Sequence, residues 1–178
     1  MVKYRPKRYF WLIDMIIQNG YTVGAEVGCA KGMTTHRLLK YCSELKRLYA
    51  VDLWAPVPDA IGGGGQYKDW NFASIRSQFD RLVKPYEKRL IVLQGISWLM
   101  ADEVRESLDF VFIDADHECR SVVNDIRAWT PKVKSDGLIS GHDFNHPGVM
   151  KALSELIPTW QDAGVDHVWY AKKEAVQL

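Results

Sequence analysis

Short apolar segments alternate along this chain with segments whose apolar residues recur at helical spacing. The apolar segments are bounded by glycine or aspartate, which is typical of strands covered on both faces of a sheet. The predicted strands, the last of them rich in aromatic residues, are Thr22–Val27, Leu48–Leu53, Leu90–Gln94, Phe110–Asp114, Leu138–Ser140 and His167–Ala171.

The helical segments fall between these strands. Residues 1–20 predict an N-terminal helix, because Trp11, Met15 and Ile16 share one face and Pro6 suits a first turn. The further predicted helices are Met33–Tyr41, a stripe from Phe72 to Val83 with Asp69 as N-cap, Trp98–Val104 with Ser97 as N-cap, a stripe from Val122 to Trp129 before Pro131, and a last helix opened by Pro147. The alternation predicts one α/β domain over residues 1–178, with a Rossmann-like, doubly wound, mostly parallel sheet and helices on both faces.

Composition narrows the class of protein. The 23 Lys and Arg nearly balance the 22 Asp and Glu, which disfavours a general nucleic-acid binder. Cys29, Cys42 and Cys119 match no zinc motif, so we interpret them as free thiols of a reducing cytosol. Asp14 interrupts the only signal-like stretch, and no run approaches the roughly 20 apolar residues of a membrane span. We expect a soluble, cytoplasmic protein with no membrane partner.

Ligands of such sheets bind at the carboxyl ends of the strands, so the residues that follow each strand are the candidate site residues. The first strand ends in Glu26-Val27-Gly28-Cys29-Ala30-Lys31-Gly32, whose glycines permit a sharp turn and a close ligand. Their spacing is not the G-x-G-x-x-G of pyrophosphate binding. The second strand ends in Val51-Asp52-Leu53-Trp54, where an acid is suited to accept both ribose hydroxyls of an adenosine.

Residues after the second and third strands are candidates to flank an adenine ring. They are Trp54, Gly95, Ile96 and Ser97, and core packing is the alternative role of Trp54.

Acids and imidazoles follow the fourth and fifth strands. The first group is Asp114, Asp116 and His117, and the second is His142, Asp143 and His146. Neighbouring carboxylates require a cation or a shared proton, so the cluster predicts either a divalent metal ion or a group poised for proton transfer. Helix capping is the alternative role of Asp116 and His117, and it is the preferred role of His146.

These motifs together resemble a family. They are similar to the motifs of class I S-adenosylmethionine-dependent methyltransferases, and in particular of the macrocin-type sugar O-methyltransferases. The segments that carry the resemblance are the loop after the first strand, Val51-Asp52-Leu53-Trp54, Phe112-Ile113-Asp114-Ala115-Asp116-His117 and Gly141-His142-Asp143. The resemblance runs from about residue 20 to residue 170, and its most specific part is residues 108–149.

The resemblance implies roles for individual residues. Gly28, Ala30 and Gly32 would pass under the methionine part of the cofactor, Glu26 would face its amino group, and Asp52 would hold the ribose. The full set of expected cofactor contacts is Glu26, Gly28, Ala30, Gly32, Asp52, Leu53, Trp54, Gly95, Ser97 and Asp114.

For catalysis, the metal-dependent members imply Asp114 and Asp143 as ligands of Mg²⁺ or another divalent cation and Asp116 as the base. Phe144 departs from their pattern, which has an acid or an amide there. His117 and His142 are candidate bases of a metal-free enzyme, since imidazole titrates near neutral pH.

The expected reaction is O-methylation of a small hydroxylated molecule, such as a sugar or a natural product. The segment Ala55–Asp69, with two prolines and four glycines, is a candidate lid with Tyr67 and Trp70 on the acceptor side, or else a flexible insertion. The chain leaves no room for a substrate domain, so acceptor contacts would come from this segment, the N-terminal helix or a neighbouring subunit of a homo-oligomer.

Two other functions stay open on the same fold. One is a dinucleotide-binding oxidoreductase, which the first loop and the acids of the fourth and fifth strands disfavour. The other is a non-catalytic cofactor-binding module, in which the basic and aromatic residues 3–9 would contact a partner or a nucleic acid. A solvated helix start is the preferred role of this stretch.

Overall fold

The computed structural model describes residues 7–58, 61–62 and 65–178, and the described strands form one sheet in the order β3-β2-β1-β4-β5-β7-β6. The strands are β1 (Val23–Val27), β2 (Arg47–Asp52), β3 (Leu90–Gln94), β4 (Leu108–Ile113), β5 (Val133–Gly141), β6 (Gln161–Asp162) and β7 (Trp169–Lys172). β1 to β5 are parallel, whereas β7 runs antiparallel to β5 and to β6. The prediction of a mostly parallel, doubly wound sheet is confirmed.

Helices cover both faces of this sheet. They are α1 (Arg8–Asn19), α2 (Met33–Tyr41), α3 (Phe72–Val83), α4 (Ser97–Met100), α5 (Cys119–Trp129) and α6 (Pro147–Leu156). Side chains alternate along the strands, as the pleat requires. Phe110 and Phe112 pack with α1 and α2, whereas Val111 and Ile113 pack with α5 and α6. Each central strand is therefore mostly apolar, with single polar residues such as Glu26 in β1 and Asp109 in β4, which is the pattern that the sequence shows.

Asp109 aligns the amino ends of β1, β4 and β5. Its carboxylate accepts hydrogen bonds from the backbone N–H groups of Thr22 and Val23, at 2.6 and 2.9 Å, and lies 2.5 Å from Lys134 Nζ. Burial alone would raise the pKa of Asp109, but these hydrogen bonds outweigh burial and lower it. The strands thus start in register, and their carboxyl ends reach one common edge.

Several predicted boundaries shift by a few residues, as at the starts of β4 (Leu108) and β7 (Trp169) and at the end of α4 (Met100). Four further differences follow. β5 begins at Val133, whereas the sequence predicts a start at Leu138. The prediction missed the first half of β5 because it is largely exposed and polar and lacks an apolar signal. The two-residue, exposed strand β6 was missed for the same reason. Asn71, not Asp69, caps α3 and accepts a hydrogen bond from the N–H of Ser74. Ser97 is the first residue of α4, and the extended Ile96 precedes it as the cap residue without a side-chain bond.

Two predicted capping elements have different outcomes. His146 is the N-cap of α6, and its Nδ1 accepts a hydrogen bond from the N–H of Gly148, which confirms the preferred capping role. Pro6, expected in the first turn of α1, lies outside the described residues.

Candidate functional site

A cavity lies at the carboxyl ends of β1 to β4. The strand order reverses between β1 and β4, and such a switch point leaves a crevice for a ligand. Six of the residues predicted to bind a cofactor line this cavity: Gly28, Ala30, Asp52, Leu53, Gly95 and Ser97. The other predicted cofactor residues are Glu26, Gly32, Trp54 and Asp114, which lie outside the lining.

The loop after β1 crosses the end of β4 at close range. Gly28 has a φ of +93°, and a Cβ atom added there would lie 2.1 Å from the carbonyl oxygen of Asp114. Gly32 also has a positive φ, and a Cβ there would meet the ring of Phe79 at 2.6 Å. Glycine is therefore required at both positions, since any side chain would push this loop away from its neighbours.

Asp52 holds the same loop in place. Its carboxylate accepts hydrogen bonds from the backbone N–H groups of Ala30 and Trp54, each at 2.8 Å. Burial raises the pKa of Asp52, and these hydrogen bonds oppose the shift. Asp52 thus both lines the cavity and orders its floor.

Trp54 does not line the cavity, which corrects the expectation that its ring flanks an adenine. The ring is 5% exposed and packs against Phe79 at a centroid distance of 4.7 Å. Its Nε1–H donates to the carbonyl oxygen of Ala30 at 2.9 Å, and the Arg76 guanidinium lies 4.4 Å from the ring centroid. The Trp54 ring is therefore part of the core and supports the loop of Ala30 on the side away from the cavity. Its role is core packing, the alternative given above.

Glu26 is a buried acid at the end of β1. Its Oε2 accepts a hydrogen bond of 2.5 Å from Thr35 Oγ1. Burial raises the pKa of Glu26 to about 8, although the hydrogen bond from Thr35 opposes the shift. The site is consequently suited to a cationic group that would stabilise the ionised carboxylate.

The acids and imidazoles after β4 and β5 meet in one cluster, which we call the charged cluster: Asp114, His117, His142 and Asp143. Asp143 Oδ2 lies 3.0 Å from His117 Nε2 and 2.9 Å from His142 Nδ1. Asp114 Oδ1 lies 3.5 Å from His142 Nδ1. The pairing of Ile113 with Gly141 in parallel register places these side chains side by side.

Two residues that sequence reasoning missed complete the charged cluster. Arg8, at the start of α1, places Nε 3.2 Å from Asp114 Oδ2 and Nη1 3.1 Å from His142 Nε2. Asp166 accepts a hydrogen bond of 3.0 Å from the N–H of Arg8. Arg8 lies within the basic stretch that the sequence predicts as a solvated helix start, and no spacing in the sequence relates it to strands so far along the chain.

The charges of the cluster stabilise one another. Hydrogen bonding to Asp143 raises the pKa of His117 and outweighs burial. Burial disfavours the charged ring of His142, but hydrogen bonds to Asp114 and Asp143 outweigh burial and raise its pKa, while Arg8 opposes them. Because a guanidinium can only donate, Arg8 Nη1 donates to His142 Nε2 only while the imidazole is neutral. Burial would raise the pKa of Asp143, but the two histidines hold it well below its usual range.

Among the predicted catalytic residues, Asp116 lines the cavity, whereas His117 and His142 stand behind the lining. Asp116 Oδ2 is shielded from solvent and makes no hydrogen bond with the described residues. The His142 side chain is 9% exposed, and both of its ring nitrogens have partners. Asp116 is thus the candidate that can reach a molecule in the cavity.

The charged cluster does not fit a divalent metal ion in this arrangement. Asp114, His117 and Asp143 do place potential ligand atoms within 4.8 Å of one another, and they include both predicted ligands. The Arg8 guanidinium, however, is bound to Asp114, where a divalent cation would meet a like charge. Phe144 supplies no ligand, because its side chain is a hydrocarbon, and its ring packs against Trp160 and His167.

The described part of segment 55–69 covers the cavity. Val57, Ile61 and Tyr67 line it together with the following Trp70. The hydroxyl of Tyr67 donates to the carbonyl oxygen of Ala115 at 2.9 Å, and its ring packs edge-on against Trp70. Residues 59, 60, 63 and 64 of the candidate lid lie outside the described residues.

Backbone strain is concentrated at this edge of the sheet. Within the described part of the chain, the non-glycine residues with left-handed φ are Ala30, Trp54, Asp143, Asp166 and His167. All of them follow β1, β2 or β5 or precede β7, whose start is paired with the end of β5. Such strained residues persist where surrounding contacts fix them, and they are common at functional sites.

Comparisons with known proteins agree with this geometry. The family model described as a methyltransferase domain matches residues 25–144. A search among curated proteins gave no match. None of the helices in the described ranges is long and apolar enough to cross a membrane.

Similar solved structures share the fold at low sequence identity. A candidate caffeoyl-CoA O-methyltransferase from Staphylococcus aureus has a TM-score of 0.66 and 15% identity, over 91% of this chain and 80% of that one. The SAH-bound methyltransferase PaMTH1 from Podospora anserina has a TM-score of 0.66 and 12% identity, over 92% and 76%. An rRNA methylase from Streptococcus thermophilus has a TM-score of 0.63 and 12% identity, over 99% of each chain.

The close approach of Gly28 to β4 predicts a specific loss of stability. Gly28→Ala should destabilise the fold by roughly 1–3 kcal/mol more than Gly20→Ala, because its Cβ collides with the Asp114 carbonyl. Gly20 is the matched control, since its φ is +66° and its Cβ would have no neighbour within 4 Å. Urea denaturation of both variants measures the difference, and equal losses would contradict the close approach.

Proposed function

Since the chain belongs to the methyltransferase domain family and is an S-adenosylmethionine-dependent methyltransferase, we propose that it methylates a hydroxyl group of a small molecule. The observation that carries the proposal is the placement of Asp116. Its carboxylate lines the cavity with one oxygen unpartnered among the described residues, beside the loop of Gly28 and Ala30.

In the proposed complex, the cofactor occupies the cavity along the ends of β1, β2 and β3. Asp52 accepts hydrogen bonds from the ribose hydroxyls, and Gly95 and Ser97 flank the adenine. Gly28 and Ala30 pass under the methionine part. Glu26 then faces the amino group, whose positive charge would favour the ionised form of this buried acid.

The methyl transfer needs an aligned acceptor and a group that takes its proton. The acceptor oxygen forms a bond to the methyl carbon while the methyl–sulfur bond breaks and leaves its electron pair on sulfur. The hydroxyl proton passes to the carboxylate of Asp116, so the sulfonium charge and the carboxylate charge are both neutralised. His117 and His142, which the sequence predicts as candidate bases, have a positioning role in this proposal. They hold Asp114 and Asp143 behind the cavity wall.

Three features support a small acceptor. Apolar and aromatic side chains, among them Val57, Ile61, Tyr67 and Trp70, line the same cavity as Asp116. The net charge of +1 is low for binding an RNA backbone, which disfavours the substrate class of the rRNA methylase neighbour. The resemblance to macrocin-type enzymes and the O-methyltransferase neighbour favour a sugar or natural-product hydroxyl.

Calorimetry tests the cofactor. S-adenosylmethionine should bind, and NAD should give no heat because the loop lacks the pyrophosphate motif. Asp52→Asn should weaken S-adenosylmethionine binding by roughly 10-fold to 100-fold, since hydrogen bonds to a charged group contribute about 1.5–3 kcal/mol. Asp102→Asn, whose side chain is 89% exposed, is the matched control and should bind normally. Binding of NAD alone would favour the oxidoreductase.

A substitution at Asp116 tests the catalytic role. Asp116→Asn should lower the rate of methyl transfer by about 100-fold to 10,000-fold, because the amide cannot take the proton. The measurement is S-adenosylhomocysteine formation with a panel of hydroxylated small molecules. Glu118→Gln, an exposed acid two positions further on, is the control and should keep the rate. An unchanged rate in Asp116→Asn, with binding of S-adenosylmethionine intact, would remove Asp116 from the reaction.

We also propose that Tyr67 and Trp70 close over bound cofactor and acceptor as part of a lid. S-adenosylhomocysteine should then slow tryptic cleavage after Lys68, which lies between these two residues. Cleavage after the exposed Lys46, which precedes β2 at the opposite edge of the sheet, is the internal reference. Protection that is equal at the two sites would argue for general stabilisation and against a lid.

A further inference from the structure

We propose that Arg8 is the resident cation of the charged cluster and that its guanidinium takes the place of a divalent metal ion beside Asp114. The inference deepens the proposed function, on which it rests, because it identifies a positioning residue of that site. It departs from the metal dependence that the resemblance implied for Asp114 and Asp143.

The contacts of Arg8 have the form of a bridge. Nε lies 3.2 Å from Asp114 Oδ2, and Nη1 lies 3.1 Å from His142 Nε2. One planar group thus joins the residue after β4 to a residue after β5. A guanidinium presents its donors in a fixed fork, so it sets the orientation of both partners and not their charge alone.

Arg8 is itself held from two sides. Its backbone N–H donates to Asp166 Oδ2 at 3.0 Å, and Nη1 lies 3.7 Å from the same oxygen. Asp166 has a left-handed φ of 46°, so the loop before β7 is strained in the conformation that presents this carboxylate. Further along α1, Leu12 and Ile16 are buried under the sheet and fix the direction of the helix. Arg8 is therefore built into the fold at this point.

The charges of the cluster leave no place for a divalent ion while Arg8 is bound. Asp114 is engaged by Arg8 through one oxygen and by His142 through the other. Asp143 receives both histidines on a single oxygen. A metal ion at Asp114, His117 and Asp143 would have to displace these partners, and it would be repelled by the guanidinium.

Arg8 also faces His142. Because a guanidinium can only donate, Nη1, 3.1 Å from Nε2, hydrogen-bonds the neutral ring that carries its proton on Nδ1, and Nδ1 lies 2.9 Å from Asp143 Oδ2. A continuous chain of contacts then runs from Asp166 through Arg8 and His142 to Asp143. Arg8 and His142 also contact Asp114. Asp116 lies two residues after Asp114, so Arg8 acts on Asp116 through the backbone.

Mn²⁺ binding followed by electron paramagnetic resonance tests the proposal without any methyl acceptor. The full chain, after treatment with chelator, should bind Mn²⁺ no better than Lys7→Ala, which removes an exposed neighbouring charge. Arg8→Ala should bind Mn²⁺ at least about tenfold more tightly, because the acids lose their cation. Arg8→Gln keeps a donor without the charge and should also gain binding, whereas Arg8→Lys keeps the charge and should not.

The second measurement is the rate of methyl transfer by chelated protein. The wild-type chain should keep its full rate, and Arg8→Lys should have a lower kcat with unchanged affinity for S-adenosylmethionine, since an ammonium lacks the planar fork that orients both partners. Tight Mn²⁺ binding by the wild-type chain, or recovery of activity only after metal is added, would overturn the proposal. Failure to methylate any hydroxyl would contradict the proposed function alone, because the Mn²⁺ comparison decides the role of Arg8 without turnover.

Discussion

Two carboxylates that follow adjacent parallel strands are the constraint on which the functional edge of this protein depends. The register of β4 with β5 brings Asp114 and Asp143 together whenever the sheet forms, and their repulsion must be offset inside the fold. His117, His142 and Arg8 supply the compensating contacts. The start of the chain is thereby tied to the loop before its last strand, because Arg8 also binds Asp166.

The same edge holds two regions with different chemistry. Around Gly28 and Asp52 the backbone approaches the cavity closely, and the carboxylate orders the loop through two N–H groups. Behind the cavity lining, the side chains of the charged cluster and Arg8 neutralise one another. Asp116 lies between these two regions. It lines the cavity, and the backbone joins it to Asp114 of the charged cluster. This position suits a group that must meet a neutral acceptor and receive its proton.

The sequence predicted the parallel strands and the order of helices because burial on both faces makes each central strand mostly apolar. It failed where that signal is missing, as in the exposed first half of β5 and in β6. It predicted Gly28, Asp52 and Asp116 as cavity residues, because the carboxyl ends of parallel strands meet at one edge. It could not orient Trp54, since a ring after a strand can face either the cavity or the core, and only the contact with Phe79 decides.

By itself, the sequence determined the fold class, the edge at which the site lies and the family to which the chain belongs. All three follow from local periodicity and from short motifs, which can be recognised without knowing the contacts between distant parts of the chain. Only the tertiary structure decided which of the candidate bases reaches the cavity and which cation meets the acids. Arg8, His142 and Asp166 lie in three separate parts of the chain, and their contacts at 3.0 to 3.1 Å exist only because α1 packs along the sheet with its first turn at the end of β4.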